Sequence, residues 1–181
     1  MVRGRHRGAR LALGGRGRKK GGADEPADHA LGRSRGGFGS KLHLVADGHG
    51  LPLAIQVTAG QVHESTQFEE VMNRVRIGRC TRPAALAGDK GYSYEGIRDW
   101  LREHAIQAAI PRRKDQHPDD GRHRFDRALY RRRGVVEQCV CWLKECRRLG
   151  TRFEKLAVNF LAMIHLAFIE RYLRVAFSDR A

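Results

Sequence analysis

Residues 130–144 read YRRRGVVEQCVCWLK, and the spacing of their polar residues governs how the rest of the chain is read. Tyr130, Arg133, Glu137 and Lys144 are separated by steps of three, four and seven residues. At about 100° per residue they project at roughly 0°, 300°, 340° and 320° on an α-helical wheel. Leu129, Val136, Val140, Leu143, Cys139 and Cys146 fall on the other side, at roughly 160° to 280°. The spacing predicts one amphipathic helix over about 128–148, with a single carboxylate among a phenol and two cations on its polar stripe. Such a stripe is either a solvated face with helical ion pairs or part of a phosphoryl-transfer site. The spacing alone is compatible with both.

Composition narrows the partners. The 181 residues suffice for one substantial core. The formal net charge is +15 and the sequence pI about 10.6, which points to a polyanion, above all nucleic acid. Charge does not separate an enzyme from a binding or scaffolding protein. No apolar run is long enough to span a membrane, and the charged N-terminus carries no apolar signal core. Three of the four cysteines, Cys139, Cys141 and Cys146, share the predicted helix at a spacing that fits no zinc motif. With Cys80 apart from them, no disulfide framework is implied, and a reducing cytoplasmic setting is the default.

Residues 1–37, rich in Gly and Arg, read as a basic disordered arm. The arm is either a binder of polyphosphate or sequence never selected to fold, such as a shifted reading frame. From residue 38 to about 178 the chain reads as a globular domain. SKLHLVAD (40–47) alternates as a strand, with Leu42, Leu44 and Ala46 against Lys41, His43 and Val45. DGHG (47–50) is a turn, and LPLAIQVT (51–58) is the returning strand. Ser65 is placed to N-cap a helix running to about Ile77. His63 and Glu64, just before it, are either support for a site or loop surface. AALAG (84–88) is apolar on both faces and reads as a central buried strand ending at Asp89, where a sheet presents ligand groups. A helix over about 94–104 and a strand over 106–110 follow. Residues 112–127 read as a polar loop. The last helix, about 152–176, shows an apolar face of Leu156, Phe160, Met163, Ile164, Ala167, Phe168 and Leu173, read mainly as core and secondarily as a dimer surface.

The stretch 130–144 fits Y-x2-R-x3-E-x6-K at every position. In this it resembles the bacterial insertion-sequence DDE transposases, in the group that includes the insertion-sequence-four and -five families. GRSRGGFGSKLHLVADGHGLPLAIQVTAGQVHES, LAGDKGY and TRFEKLAVNFLAMIHLA are similar to that group's domain start, second-acid segment and closing helix, so the likeness spans about residues 19–175. The resemblance implies an α/β, RNase H-like mixed sheet flanked by helices, with Asp89 and Glu137 as second and third catalytic acids and metal ligands. It implies Mg²⁺ or Mn²⁺ as cofactor, because such ions take hard oxygen ligands. It implies DNA partners, namely transposon ends and target DNA. Tyr130, Arg133 and Lys144 would contact the DNA, and Arg33, Arg35 and Lys41 of the matching N-terminal segment are assigned there too. A homo-oligomer in a synaptic complex and a nucleoid-associated location also follow from the resemblance.

One feature of the group is missing. Its first catalytic Asp, on the first strand upstream of GRSRGG, has no counterpart, because Asp24, Glu25 and Asp28 lie in loop-like sequence. The expectation is therefore the downstream portion of a transposase-type polynucleotidyl transferase, incomplete at its N-terminus and inactive alone, completed by fusion to an upstream-frame polypeptide. The competing expectations are a non-catalytic basic DNA-binding protein, a transposase remnant or modulator, and a nuclease of similar fold that draws a third carboxylate from Asp47 or Glu64.

Overall fold

The computed structural model describes residues 28–34, 37–79, 82–113 and 125–178. The described chain is mixed α/β. Strand β1 (Gly32–Ser34) pairs antiparallel with β2 (Gly37–Ala46), which neighbours β3 (Pro52–Ala59) in a three-stranded sheet. A separate parallel pair joins β4 (Ala85–Ala87) to β5 (Gln107–Ala109). The sequence led to one mixed sheet with a central 84–88 strand; among the described residues the strands instead form two sheets, and β4 has one partner. The short β1 lies in the stretch read as a disordered arm. The remainder of that arm, residues 1–27, 35 and 36, lies outside the described residues, as does 114–124 of the polar loop.

The hairpin turn follows from its residues. The Asp47 carboxylate accepts from the His49 and Leu51 amides, each at 2.8 Å, and Gly50 takes the left-handed φ of 82°. Alternation along β2 does not hold to its end. His43, Leu44, Val45 and Ala46 are all buried, so both faces of the strand are out of solvent there.

Two compact units divide the described chain, and β2 and β3 contribute residues to both. The first, formed by His43–Gln56 and His63–Val140, holds a core of Phe68, Val71, Met72 and Val75 from one helix region, Leu86, and Ile97, Trp100 and Leu101 from another. The helix expected from Ser65 to Ile77 is a 3₁₀ turn, Glu64–Gln67, followed by α1 (Phe68–Asn73). Ser65 is not its cap. The His63 ring accepts from the Ser65 amide and caps the turn, because Ser65 already lies inside it. Helix α2 (Glu95–Glu103) buries Ile97, Trp100 and Leu101. Trp100 meets Phe68 edge to face at 5.4 Å. Helix α2 ends with Ala105 at φ 52°, where the Ile106 amide returns to the Leu101 carbonyl at 2.8 Å.

The predicted helix 128–148 is three pieces: α3 (Arg127–Arg131), α4 (Gly134–Glu145) and α5 (Arg147–Gly150). Across the first break the amides of Arg132, Arg133, Val135 and Val136 bond three residues back rather than four. This tightens the chain to a 3₁₀ pitch just ahead of Gly134, a poor helix former.

The second unit, in its described part residues 28–34, 37–42, 57–62 and 141–178, carries α5 and α6 (Ala157–Phe177). Helix α6 starts later than the sequence led one to expect. It buries Phe160, Ile164, Ala167 and Phe168, with Met163 half-buried and Leu173 exposed. Its final turns therefore lie beyond this unit's core. The Arg171 guanidinium covers the Trp142 ring at 4.8 Å. Arg152, 2% exposed at φ 45°, donates to the carbonyls of Ala30 (3.1 Å) and His29, and its guanidinium carbon lies 4.9 Å from the Phe160 centroid. This buried cation fixes the segment before β1. Gly60 lies over the Gly32 and Gly39 carbonyls, where a Cβ would come within 2.8 and 2.9 Å of them. That contact explains why residue 60 is glycine. Among the described residues no helix is long and apolar enough to cross a membrane.

Candidate active site

The apolar run before Asp89 places it at the C-terminal end of β4, where it is 3% exposed. Its side chain caps the following 3₁₀ turn, Lys90–Tyr92, with Oδ1 accepting from the Gly91 amide at 2.6 Å. This turn packs against the one opened by Glu64. A Cβ on Gly91 would lie 2.7 Å from Asp89 Oδ1 and 2.7 Å from Glu64 Oε2. The two carboxylate oxygens are thus less than twice that distance apart, and any side chain at position 91 would have to displace them. Glu64 is half-buried. Sequence reasoning placed it in the loop after a strand and offered it, with Asp47, as a third carboxylate; its partner became visible only when the two turns met.

Further polar groups lie around this pair. His63 Nδ1 accepts from the Ser65 amide, so the neutral ring carries its proton on Nε2 and donates to Tyr94 Oη at 3.0 Å. Arg113 stacks its guanidinium 4.3 Å from the Tyr94 ring centroid and donates to the Lys90 carbonyl at 3.2 Å. Tyr94 and Arg113 had no role in the sequence reading. Asp47 is the turn residue described above.

The signature residues are placed as follows. Tyr130 is on α3, with the Phe125 ring centroid 5.3 Å away. Arg133 sits in the break before α4, its guanidinium carbon 5.2 Å from the Tyr130 centroid and its Nη1 2.5 Å from Glu137 Oε1. Burial opposes the Arg133 charge, but the hydrogen bond to Glu137 and attraction to Tyr130 and Glu137 outweigh it. The guanidinium is therefore held above its ordinary value. Three of the four signature residues thus form a Tyr–Arg–Glu clasp. Lys144 is exposed in the last turn of α4. Arg33 is exposed on β1 opposite Phe38. Lys41 donates from Nζ to the Val62 carbonyl at 2.6 Å. Arg35 lies outside the described residues.

The resemblance implies Mg²⁺ or Mn²⁺, which hard oxygen donors would hold. Asp89 and Glu64 offer hard oxygens side by side, but Glu137 Oε1 is bonded to Arg133. Among the described residues no group of three or more His, Cys, Asp or Glu side chains gathers to hold a metal ion. These residues by themselves do not make a complete metal cage.

Comparison with known proteins gives the family. Residues 14–169 match the family described as transposase DDE domain. A Burkholderia cepacia protein named as transposase for insertion sequence element IS402 is 33% identical over 138 residues, covering 73% of this chain and 59% of that protein. A Brucella ovis protein named as transposase for insertion sequence element IS6501 is 30% identical over 136 residues, covering 75% of this chain and 98% of that protein. No solved structure matches. The chain belongs to the transposase DDE domain family and is of the bacterial insertion-sequence kind. It spans 59% of the length of the first of these relatives.

Proposed function

We propose that this chain is the downstream portion of an insertion-sequence-four/five-type DDE transposase with an RNase H-like catalytic domain. Its reaction is DNA strand cleavage and strand transfer on the bacterial nucleoid. Asp89 and Glu137 are the second and third acids. The chain alone does not cleave, because the first acid has to come from an upstream segment joined to it, and a divalent ion enters only once that set is complete. The observation that carries the reading is Asp89, buried at a strand end and oriented by the Gly91 amide, within the range matched by the family. Lys144 and Arg33, both exposed, meet DNA phosphates together with Arg35 and Lys41, while Tyr130 and Arg133 shape the approach to Glu137.

The Arg133–Glu137 pair favours a second reading, a non-catalytic basic DNA binder that modulates its own element's transposase, because the pair engages the carboxylate needed for chemistry. One experiment separates the two. The purified chain, and the chain fused to the upstream-frame polypeptide, are incubated with a transposon-end duplex and Mg²⁺ or Mn²⁺. The chain alone is expected to bind with affinity falling steeply with salt, by a log–log slope of about −0.9 per phosphate neutralised, and not to cleave. The fusion is expected to cleave, and Glu137→Gln to abolish cleavage without weakening binding. Robust cleavage by the chain alone that Glu137→Gln removes would overturn its incompleteness. A fusion that binds and never cleaves would leave the binder reading.

A further inference from the structure

Two phenylalanine rings of the second unit face solvent. Phe153, between α5 and α6, is 76% exposed, and Phe38, on β2, is 52% exposed. An exposed ring alone says little, but each of these has an arginine beside it. Arg33 is exposed and lies directly across from Phe38 in the β1–β2 register, so both side chains leave the same face of the ribbon. Gly37, next to Phe38, has nothing within 4 Å of where a Cβ would stand. The Arg148 guanidinium carbon lies 5.3 Å from the Phe153 ring centroid. Two bonds to Glu154 Oε1, at 3.1 and 2.8 Å, hold that guanidinium in place. Arg147 and Lys155, also exposed, add cations on either side in the chain. The two rings belong to adjoining segments. Arg152, which precedes Phe153, donates to the Ala30 carbonyl, and the same carbonyl accepts from Ser40 Oγ, two residues beyond Phe38.

We propose that Phe38 and Phe153 are stacking platforms for unpaired nucleobases, and that the second unit holds single-stranded DNA. Each ring takes a base on its open side, while Arg33 and Arg147 neutralise the phosphates. Every base has a π-face, so the surface reads no sequence. Charge selects this ligand over a protein partner: the chain carries a net +15, and a polyanion gains from that field where an apolar protein surface does not. A duplex keeps its bases paired and stacked inside the helix, so it meets the cations and leaves the rings idle. The proposal rests on the reading of the chain as a transposase that handles DNA, and adds the form of DNA that the second unit holds.

The test is fluorescence anisotropy of the full chain against a dye-labelled single strand of mixed sequence, about 20 nucleotides long so as to exceed a site of this kind, and against its duplex. Phe153→Ala and Phe38→Ala are each expected to weaken single-strand binding about five- to hundredfold. Duplex affinity should stay within about twofold, because a paired base offers no face to stack on. Phe153→Tyr keeps the single-strand affinity and Phe153→Leu loses it, since leucine keeps apolar bulk without a π-face. Arg33→Ala lowers the log–log salt slope by about 0.7, which neither alanine variant of the rings changes. Ile77→Ala, exposed on the first unit, leaves single-strand binding intact. Circular dichroism separates lost binding from lost folding, and if Phe153→Ala unfolds the chain, the tyrosine and leucine variants decide. Single-strand affinity indifferent to both Phe38→Ala and Phe153→Ala, or kept as well by leucine as by tyrosine, would overturn the proposal. A chain that binds duplex and ignores single strands overturns it while leaving the transposase reading; one that binds neither overturns both.

Discussion

Replacing Arg152 is expected to loosen the second unit more than any surface substitution. The guanidinium is 2% exposed, donates to Ala30 O at 3.1 Å and to His29 O, and covers Phe160 at 4.9 Å. Each charge-assisted bond is worth about 1.5–3 kcal/mol, and truncation takes this donor from the half-buried His29 carbonyl, while the Ala30 carbonyl keeps the Ser40 hydroxyl. The ring contact adds about 0.5–2 kcal/mol. Against these stands burial of the cation, which holds its pKa below the ordinary guanidinium value despite the attraction of Asp28. The net loss for Arg152→Ala is therefore put at about 3 kcal/mol, or a fall in Tm of roughly 6–12 °C for a chain of this size. The backbone supplies an internal control. Arg152 sits at φ 45°, where glycine is relieved of steric strain, so Arg152→Gly should unfold about 0.5–1 kcal/mol later than Arg152→Ala. Urea titration followed by circular dichroism gives both numbers. An Arg152→Ala midpoint within roughly 0.5 kcal/mol of wild type would refute the account of this cation as a clamp. Alanine and glycine variants of equal stability would refute the strain argument alone.

Other substitutions follow from the same geometry. Gly91→Ala places a methyl 2.7 Å from two carboxylate oxygens and should cost about 2–3 kcal/mol through the displaced cap; denaturant titration checks it, and an unchanged midpoint would mean the carboxylates do not converge in solution. Ala105→Gly, at φ 52°, should stabilise by about 0.5–1 kcal/mol, read as a raised Tm. Among the described cysteines, thiol alkylation at pH 8, mapped by mass spectrometry, should label exposed Cys141 first. Half-buried Cys146 should follow more slowly, because burial and then the nearby Glu170 and Glu145 raise its pKa, only partly offset by Arg174. Buried Cys139 should react only on unfolding.

Periodicity made some of this legible and left the rest hidden. The apolar run Ala84–Gly88 announced β4 and therefore the position of Asp89, because so short a run favours a buried strand over a helix. The hairpin was readable from Asp47, whose carboxylate bonds nearby amides, and from Gly50, whose backbone takes a left-handed φ. The break at Arg132–Arg133 was not, since arginine is a good helix former and the tightening shows only in which carbonyl each amide selects. The Asp89–Glu64 convergence was hidden for another reason: it depends on two 3₁₀ turns meeting in space, and neither turn has a sequence period. Likewise α6 reads as one broad apolar helix, and only burial divides its faces into an inner and an outer one. Arg152 stood at the start of the predicted last helix, and nothing local points to the distant carbonyls of His29 and Ala30 that it reaches.

The parallel pair β4–β5, with α2 between its strands, has a consequence for the order of assembly. Its contacts close over a short length of chain, and short closures lose little entropy and form fast. The bond from Arg152 to Ala30 spans 122 residues and must wait for most of the chain to be in place. On a ribosome, the strand end that carries Asp89 can therefore take shape while the closing helix is still being made. The acid is positioned early, and the clamp at Arg152 locks late.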